Sequence, residues 1–98
     1  MIYRIEIYDK DGNNVLIHGD DNWGVMEQEP FQMLSYRFGM NFEEDEEDSD
    51  EVSYYQAKPM VECCKTLNLR QEFIDEVQKV ADDPENYREM YPFTFVQE

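Results

Sequence analysis

Apolar and polar side chains alternate at the start of the chain. Residues 2–8 place three apolar side chains on one face and charged side chains on the other, which predicts a half-buried strand. Residues 9–14 are rich in Asp, Asn and Gly, and residues 15–17 are apolar again. This order predicts a β-hairpin with a longer loop.

A helical pattern follows. Phe31, Leu34 and Phe38 recur at helical spacing between Pro30 and Gly39. Proline suits the first turn of a helix and glycine suits the position just after its end. The pattern therefore predicts a helix from about Pro30 to Phe38.

The second half of the chain predicts further helices. Residues 60–67 form a short helix that Pro59 opens, and residues 83–90 form another that begins at an Asp-Pro-Glu sequence. Asn68 is expected to cap the helix between them. The apolar stripe of that helix consists of Leu69, Phe73, Val77 and Val80.

Two more segments predict strands. Residues 52–57 form a short strand, and residues 93–96 form a final strand that joins the hairpin sheet. The expected fold is a single α+β domain, residues 1–98. It has a small, mainly antiparallel sheet, made of the N-terminal hairpin and the C-terminal strand, covered by three or four helices.

The composition is strongly acidic but still that of a folded protein. The chain has 24 Asp and Glu against 8 Lys and Arg, a formal charge of −16, yet 41% of its residues are hydrophobic and 14% aromatic. A disordered acidic tail would have few aromatic residues. Repulsion by phosphates argues against direct nucleic-acid binding and against binding to anionic membranes.

The cysteines and the N-terminal segment predict a cytoplasmic protein. Cys63 and Cys64 are adjacent, so a bridge between them would be strained, and they are expected to be reduced thiols. No apolar stretch approaches the length of a membrane span, and no signal-like segment opens the chain.

The pattern favours no enzyme and no cofactor. The single histidine, His18, has no favoured spacing to a cysteine, the glycines are scattered, and no spaced zinc ligand set is present. Residues 9–20 resemble a calcium-binding EF-hand loop in part. However, Asn14 replaces the glycine at position six and Asp20 the glutamate at position twelve, and a strand precedes the loop. A plain hairpin turn is expected there.

The densest charge lies in residues 43–51, which we call the acidic run. Eight of its nine residues are Asp or Glu, and no Lys or Arg lies among them. If fully extended it would span about 30 Å, or one charge per roughly 3.7 Å. One strand of duplex DNA carries a phosphate per about 3.4 Å of axis. The predicted structure is an acidic loop whose charge density is similar to that of DNA.

A dense anionic surface attracts cationic surfaces, and DNA-binding sites are such surfaces. The residues expected to face a partner are the carboxylates of the run, two acids near the first turn and three in a late helix. They are Glu43, Glu44, Asp45, Glu46, Glu47, Asp48, Asp50, Glu51, Asp20, Asp21, Glu72, Asp75 and Glu76.

In size, charge, acidic run and aromatic-rich α+β pattern, the chain resembles the acidic DNA-mimic anti-restriction proteins of phages, of the Arn type found in T-even phages. The resemblance implies an inhibitor that acts in the host cytoplasm on a restriction endonuclease, and also on a histone-like nucleoid protein. It further implies a symmetric homodimer. The alternatives are a dedicated inhibitor or immunity protein of one basic nuclease, with Tyr54, Tyr55 and Trp23 as contact residues, an anti-CRISPR protein, or a domain with no electrostatic role.

Overall fold

The computed structural model describes residues 1–18 and 21–98, except for the side chains of residues 18, 21 and 22. The strands are β1 (Tyr3–Ile7), β2 (Ile17–His18), β3 (Asp21–Asn22), β4 (Val25–Met26), β5 (Asp48–Val52) and β6 (Phe93–Gln97). The helices are α1 (Gln28–Arg37), α2 (Ala57–Thr66) and α3 (Gln71–Asp82), with short 3₁₀ helices at Tyr54–Gln56 and Pro84–Asn86.

The main sheet has four antiparallel strands in the order β4-β1-β6-β5, and β2 and β3 form a separate two-stranded pair. The predicted α+β class, with a small antiparallel sheet and three helices, is confirmed. The C-terminal strand β6 lies between β1 and β5, so it holds the acidic edge of the sheet to the N-terminal strand.

The hydrophobic core lies between the sheet and the helices. β1 and β6 contribute Ile5, Ile7, Phe93 and Phe95, all almost completely buried. The α3 stripe predicted from the sequence contributes Phe73, Val77 and Val80, with Ile74 beside them; α1 and α2 supply Phe31, Leu34, Met60 and Cys64. Helices with one apolar stripe bury it in this way against a sheet.

The helix predicted after Pro30 is confirmed, although it begins two residues earlier, at Gln28. Pro30 is then the third helical residue, where its missing N–H costs nothing because the first-turn N–H groups have no acceptor inside the helix. Gly39 follows the helix with φ of +83°, the left-handed conformation that glycine adopts readily.

The predicted hairpin is present only beside its turn. Tyr8 bridges to Asn14 and the N–H of Val15 donates to the carbonyl oxygen of Ile7, whereas the strand Ile17–His18 pairs with β3. The neighbour of β1 on this side is β4. Gly24 permits this, because a Cβ on it would lie 2.1 Å from the carbonyl oxygen of Ile5.

The strand predicted at residues 52–57 is misplaced. The strand is Asp48–Val52, which begins within the acidic run and ends one residue after it, and Tyr54–Gln56 form a 3₁₀ helix. The hydroxyl of Ser53 accepts a hydrogen bond from the N–H of Tyr55 and so caps this helix. Val52 is the residue that enters the core, opposite Phe93.

Two helix boundaries also differ from those predicted. Asn68 does not cap α3, since it lies in the connection before it with φ of +55°, and Arg70 takes the N-cap position. The helix predicted for residues 83–90 is only the 3₁₀ turn Pro84–Asn86. The chain leaves the helix there because Tyr87 bridges to Asp9.

Among the residues that the structure describes, no helix is long and apolar enough to cross a membrane.

Candidate functional site

The acidic run is part turn and part strand. Residues 44–45 form a turn, in which Asp45 has φ of +67°, and residues 48–51 belong to the edge strand β5. The sequence predicts one loop, which at full extension would reach about 30 Å. Only the β5 portion is extended, and four residues of strand span roughly 13 Å.

Apolar residues hold both ends of the acidic run. Phe42, immediately before it, is 8% exposed, and its ring centroid lies 5.3 Å from that of Phe31. Val52, immediately after residue 51, is 5% exposed. All the residues of the run itself are exposed. The run is therefore a charged segment fixed between two core anchors.

A buried amide holds the turn of the run. Gln97 in β6 is completely buried, and its Nε2 donates hydrogen bonds to the carbonyl oxygens of Glu43 (2.5 Å) and Glu46 (2.6 Å). Gln97 is not among the site residues predicted from the sequence. A glutamine that follows an alternating apolar strand is the only signal for it, and that signal does not show what the amide contacts.

The ladder between β1 and β6 shows which way the backbone of β5 faces. Ile2 and Glu98 exchange both backbone hydrogen bonds, at 2.6 and 2.9 Å. Because bonded and non-bonded pairs alternate along antiparallel strands, the intervening β6 residues turn their backbone groups towards the other neighbour, β5. These residues are Phe93, Phe95 and Gln97.

Their partners on β5 are Asp48, Asp50 and Val52. The N–H and C=O groups of Ser49 and Glu51 therefore point to the open edge of the sheet. Asp48 Oδ1 accepts a hydrogen bond from the N–H of Ser49, and Asp50 Oδ1 accepts one from the N–H of Glu51, both at 2.8 Å. These side chains occupy the backbone N–H groups of the edge, so its free backbone groups are all acceptors, and carboxylate oxygens lie beside them.

The carboxylates of the run are almost free of counter-charges. Glu51 lies 3.8 Å from Arg88. Among the described residues, the other seven carboxylates of the run form no ion pair. Arg88 is itself engaged elsewhere, since it donates to the carbonyl of Tyr91 (2.7 Å) and the hydroxyl of Thr94 (3.1 Å). The run therefore presents an essentially unneutralised negative surface.

The predicted partner residues outside the run are not all equally free to contact a partner. Glu76 is tied by hydrogen bonds to Lys79 (3.2 Å) and to the hydroxyl of Tyr87 (3.1 Å). Asp75 accepts from Gln71 at 2.8 Å, and Glu72 is exposed. These three lie on α3, in the helical layer, whereas the run lies at the sheet edge.

Two predicted partner residues and the histidine fall at the limits of the described structure. Asp20 lies outside the described residues. The backbone of Asp21 belongs to β3 and that of His18 to β2, while their side chains are not described.

The segment that resembles a calcium loop is a turn closed by its own side chain. Asp9 Oδ1 accepts hydrogen bonds from the N–H groups of Asp11 and Asn13, both at 2.9 Å. Both bonds lower the pKa of Asp9, and the bond from Asn13 has the larger effect. Within residues 1–18 and 21–98, no three Asp, Glu, His or Cys side chains form a group that could hold a metal ion.

Burial keeps the two thiols protonated. It raises the pKa of Cys63, against the opposing effect of Arg37, and it raises the pKa of the buried Cys64 to about 12. The thiolate is the nucleophilic form, so this environment does not activate either cysteine.

The aromatic residues of the alternative inhibitor site are only partly available. Tyr54 and Tyr55 stack with ring centroids 4.2 Å apart, and Tyr55 is 73% exposed. Tyr54 and Trp23 are half-buried and pack against the core. Tyr55 is therefore the one of the three with a mostly free ring.

No family model, curated protein or solved structure matches this chain. Function is therefore inferred from the geometry of the chain's own residues.

Proposed function

We propose that this protein inhibits basic DNA-binding proteins by occupying their DNA-binding sites as a folded polyanion. The observation that carries the proposal is the anchored, exposed acidic run, whose carboxylates outside Glu51 have no ion-pair partner among the described residues. A surface of this kind attracts a cationic groove at long range and competes with phosphates for the same Lys and Arg side chains.

The hydrogen-bond character of the β5 edge supports the same partner. Ser49 and Glu51 turn carbonyl oxygens outward, and the carboxylates of Asp48 and Asp50 already occupy the N–H groups beside them. A guanidinium or ammonium group supplies donors only, so it suits an edge whose free backbone groups are all acceptors. A peptide strand also needs donors from the edge and fits it less well.

The short extended part limits how much DNA one copy imitates. About 13 Å of strand corresponds to roughly four nucleotides of one DNA strand at 3.4 Å each. A longer track needs further carboxylates or a second copy of the chain. The proposal includes a homodimer that extends the line of carboxylates. It also places the protein in the cytoplasm of a host cell, where it acts against a restriction nuclease or a nucleoid protein.

A competition assay tests the proposal directly. A fluorescently labelled duplex is bound to each of two unrelated basic proteins, a restriction endonuclease and a nucleoid protein, and the chain is titrated in at several salt concentrations. A DNA mimic displaces DNA from both proteins and loses potency steeply as salt rises. No displacement from either protein at low salt rejects the proposal.

Matched charge variants locate the active surface. One variant carries Glu46→Gln, Glu47→Gln, Asp48→Asn and Asp50→Asn, and the control carries Asp82→Asn, Asp83→Asn, Glu85→Gln and Glu89→Gln, all exposed and outside the predicted partner residues. Both variants change the net charge by the same amount, so a loss of DNA competition that depended only on net charge would be equal in the two. The proposal expects the run variant to be at least tenfold weaker than the control.

The stacked tyrosines support a second candidate, a dedicated inhibitor of one basic protein. An exposed aromatic side chain beside acidic residues is typical of a protein-interface hot spot. In that case the chain blocks only one of the two test proteins, keeps its potency in salt, and loses it on Tyr55→Ala. A DNA mimic tolerates that substitution.

A further inference from the structure

Gln97 is an unusual residue for its position. It lies on β6 on the same side of the sheet as Phe93 and Phe95, and like them it is completely buried. Both of its amide hydrogen bonds go to the turn of the acidic run, more than 50 residues away in the chain. Its Oε1 is buried and has no hydrogen-bond partner among the described residues.

An apolar side chain would suit the core better. A buried polar atom without a partner is destabilising, and shape-matched apolar replacements of buried polar groups are often neutral or stabilising. The carbonyl groups of Glu43 and Glu46 both accept from this one amide, although the side chains of these two residues are exposed. Core stability therefore does not explain this amide, and its contact with the turn does.

We propose that Gln97 is a positioning residue, which fixes the turn of the acidic run so that its carboxylates are ordered before a partner binds. The inference rests on the proposed function, since it assigns Gln97 a role in that same surface. Like charges in a short segment repel each other and favour a spread of conformations. A bond from β6 to two carbonyl groups of the segment opposes that spread, and the partner then does not have to order the turn.

The test removes the amide while preserving charge and volume. Gln97→Met keeps an unbranched side chain of similar size, and Gln71→Met, at an exposed position of α3, is the control. Both variants and the wild type are compared in the DNA-competition assay at several salt concentrations, by thermal unfolding, and by ¹⁵N NMR relaxation of the backbone.

The expected result for Gln97→Met is about tenfold weaker competition at every salt concentration, equivalent to about 1.4 kcal/mol. The slope of log affinity against log salt is unchanged, because no charge is lost. Backbone order parameters of residues 43–47 fall, and the melting temperature falls by no more than a few degrees, because two carbonyl groups lose their partner. A role in stability alone predicts a lower melting temperature without a specific loss of competition by the folded protein.

Two results overturn the inference. One is a folded Gln97→Met variant that competes as well as the wild type. The other, which needs no variant, is a backbone order parameter below about 0.6 for residues 43–47 of the wild type in ¹⁵N NMR relaxation, the value of a flexible chain. If the wild type does not displace DNA at all, the proposed function fails, while the order parameters still report whether Gln97 orders the turn.

Discussion

Asp50 and Phe95 lie directly opposite each other across β5 and β6, yet Phe95 is completely buried and Asp50 is exposed. Opposite residues of a ladder share a face of the sheet. At this position the layer of side chains that covers the core therefore extends over β6 but not over β5. Val52 is the β5 residue whose side chain is buried beneath that layer.

Val52 should accordingly control whether β5 stays on the sheet. Val52→Ala removes most of a buried side chain and is expected to cost about 1.5–3 kcal/mol. The control Val25→Ala, on the other edge strand, alters a side chain that is 43% exposed and should cost much less. Urea unfolding measures both, and equal losses would contradict the anchoring role.

The aspartates of β5 are expected to prevent two copies from pairing through the backbone of their β5 edges. Asp48→Val with Asp50→Val removes both charges and frees the N–H groups of Ser49 and Glu51, which leaves an exposed apolar edge that favours self-association. Asp48→Asn with Asp50→Asn removes the same charges but keeps an oxygen acceptor. Light scattering after size-exclusion chromatography should show larger species for the valine pair. If both pairs associate equally, charge alone protects the edge.

Sequence patterns predicted those elements whose apolar period is regular. The strand β1, the helix α1 and the strand β6 each carry such a pattern, and each lies where it was predicted, within about two residues. The candidate surface was also proposed from the sequence, because the charge density of a segment can be read without knowing the fold.

The conformation of that surface was not predictable in the same way. Residues 48–51 are polar on both faces of β5, so no period marks them as a strand. Their pairing is set by β6, far away in the chain, and by Val52. The contact from Gln97 to Glu43 depends on the same long-range pairing. Local patterns carry no information about such contacts.

Salt should stabilise the fold. A charge of −16 on 98 residues produces repulsion that favours the unfolded chain. The screening length falls from about 30 Å at 0.01 M salt to about 3 Å at 1 M. The melting temperature is expected to rise by several degrees over this range in sodium chloride, and by less in the fourfold run variant. A melting temperature that does not change with salt would show that the acids are already compensated.

Alkaline pH should destabilise the protein through Cys64. Burial raises the pKa of this thiol to about 12, while an unfolded cysteine has a pKa of about 8.5. Its contribution to stability is therefore complete below pH of about 8.5 and decreases as pH rises towards 12. The free energy of unfolding should fall less steeply over this range in Cys64→Ala. In the native protein, a thiol reagent should label the half-buried Cys63 and spare Cys64 until unfolding.

Single neutralisations in the acidic run are expected to have small effects on inhibition. Glu47 is exposed and in no ion pair among the described residues, and an isolated exposed charge contributes little to binding energy. Glu47→Gln should therefore weaken DNA competition by less than about fivefold, since an exposed pair contributes up to about 1 kcal/mol. The fourfold run variant should lose far more, because a polyanion acts through the sum of its charges. Competition titrations of Glu47→Gln, Asp48→Asn and the fourfold variant give the comparison. If either single change abolished inhibition, a compact hot spot would replace the distributed surface as the explanation.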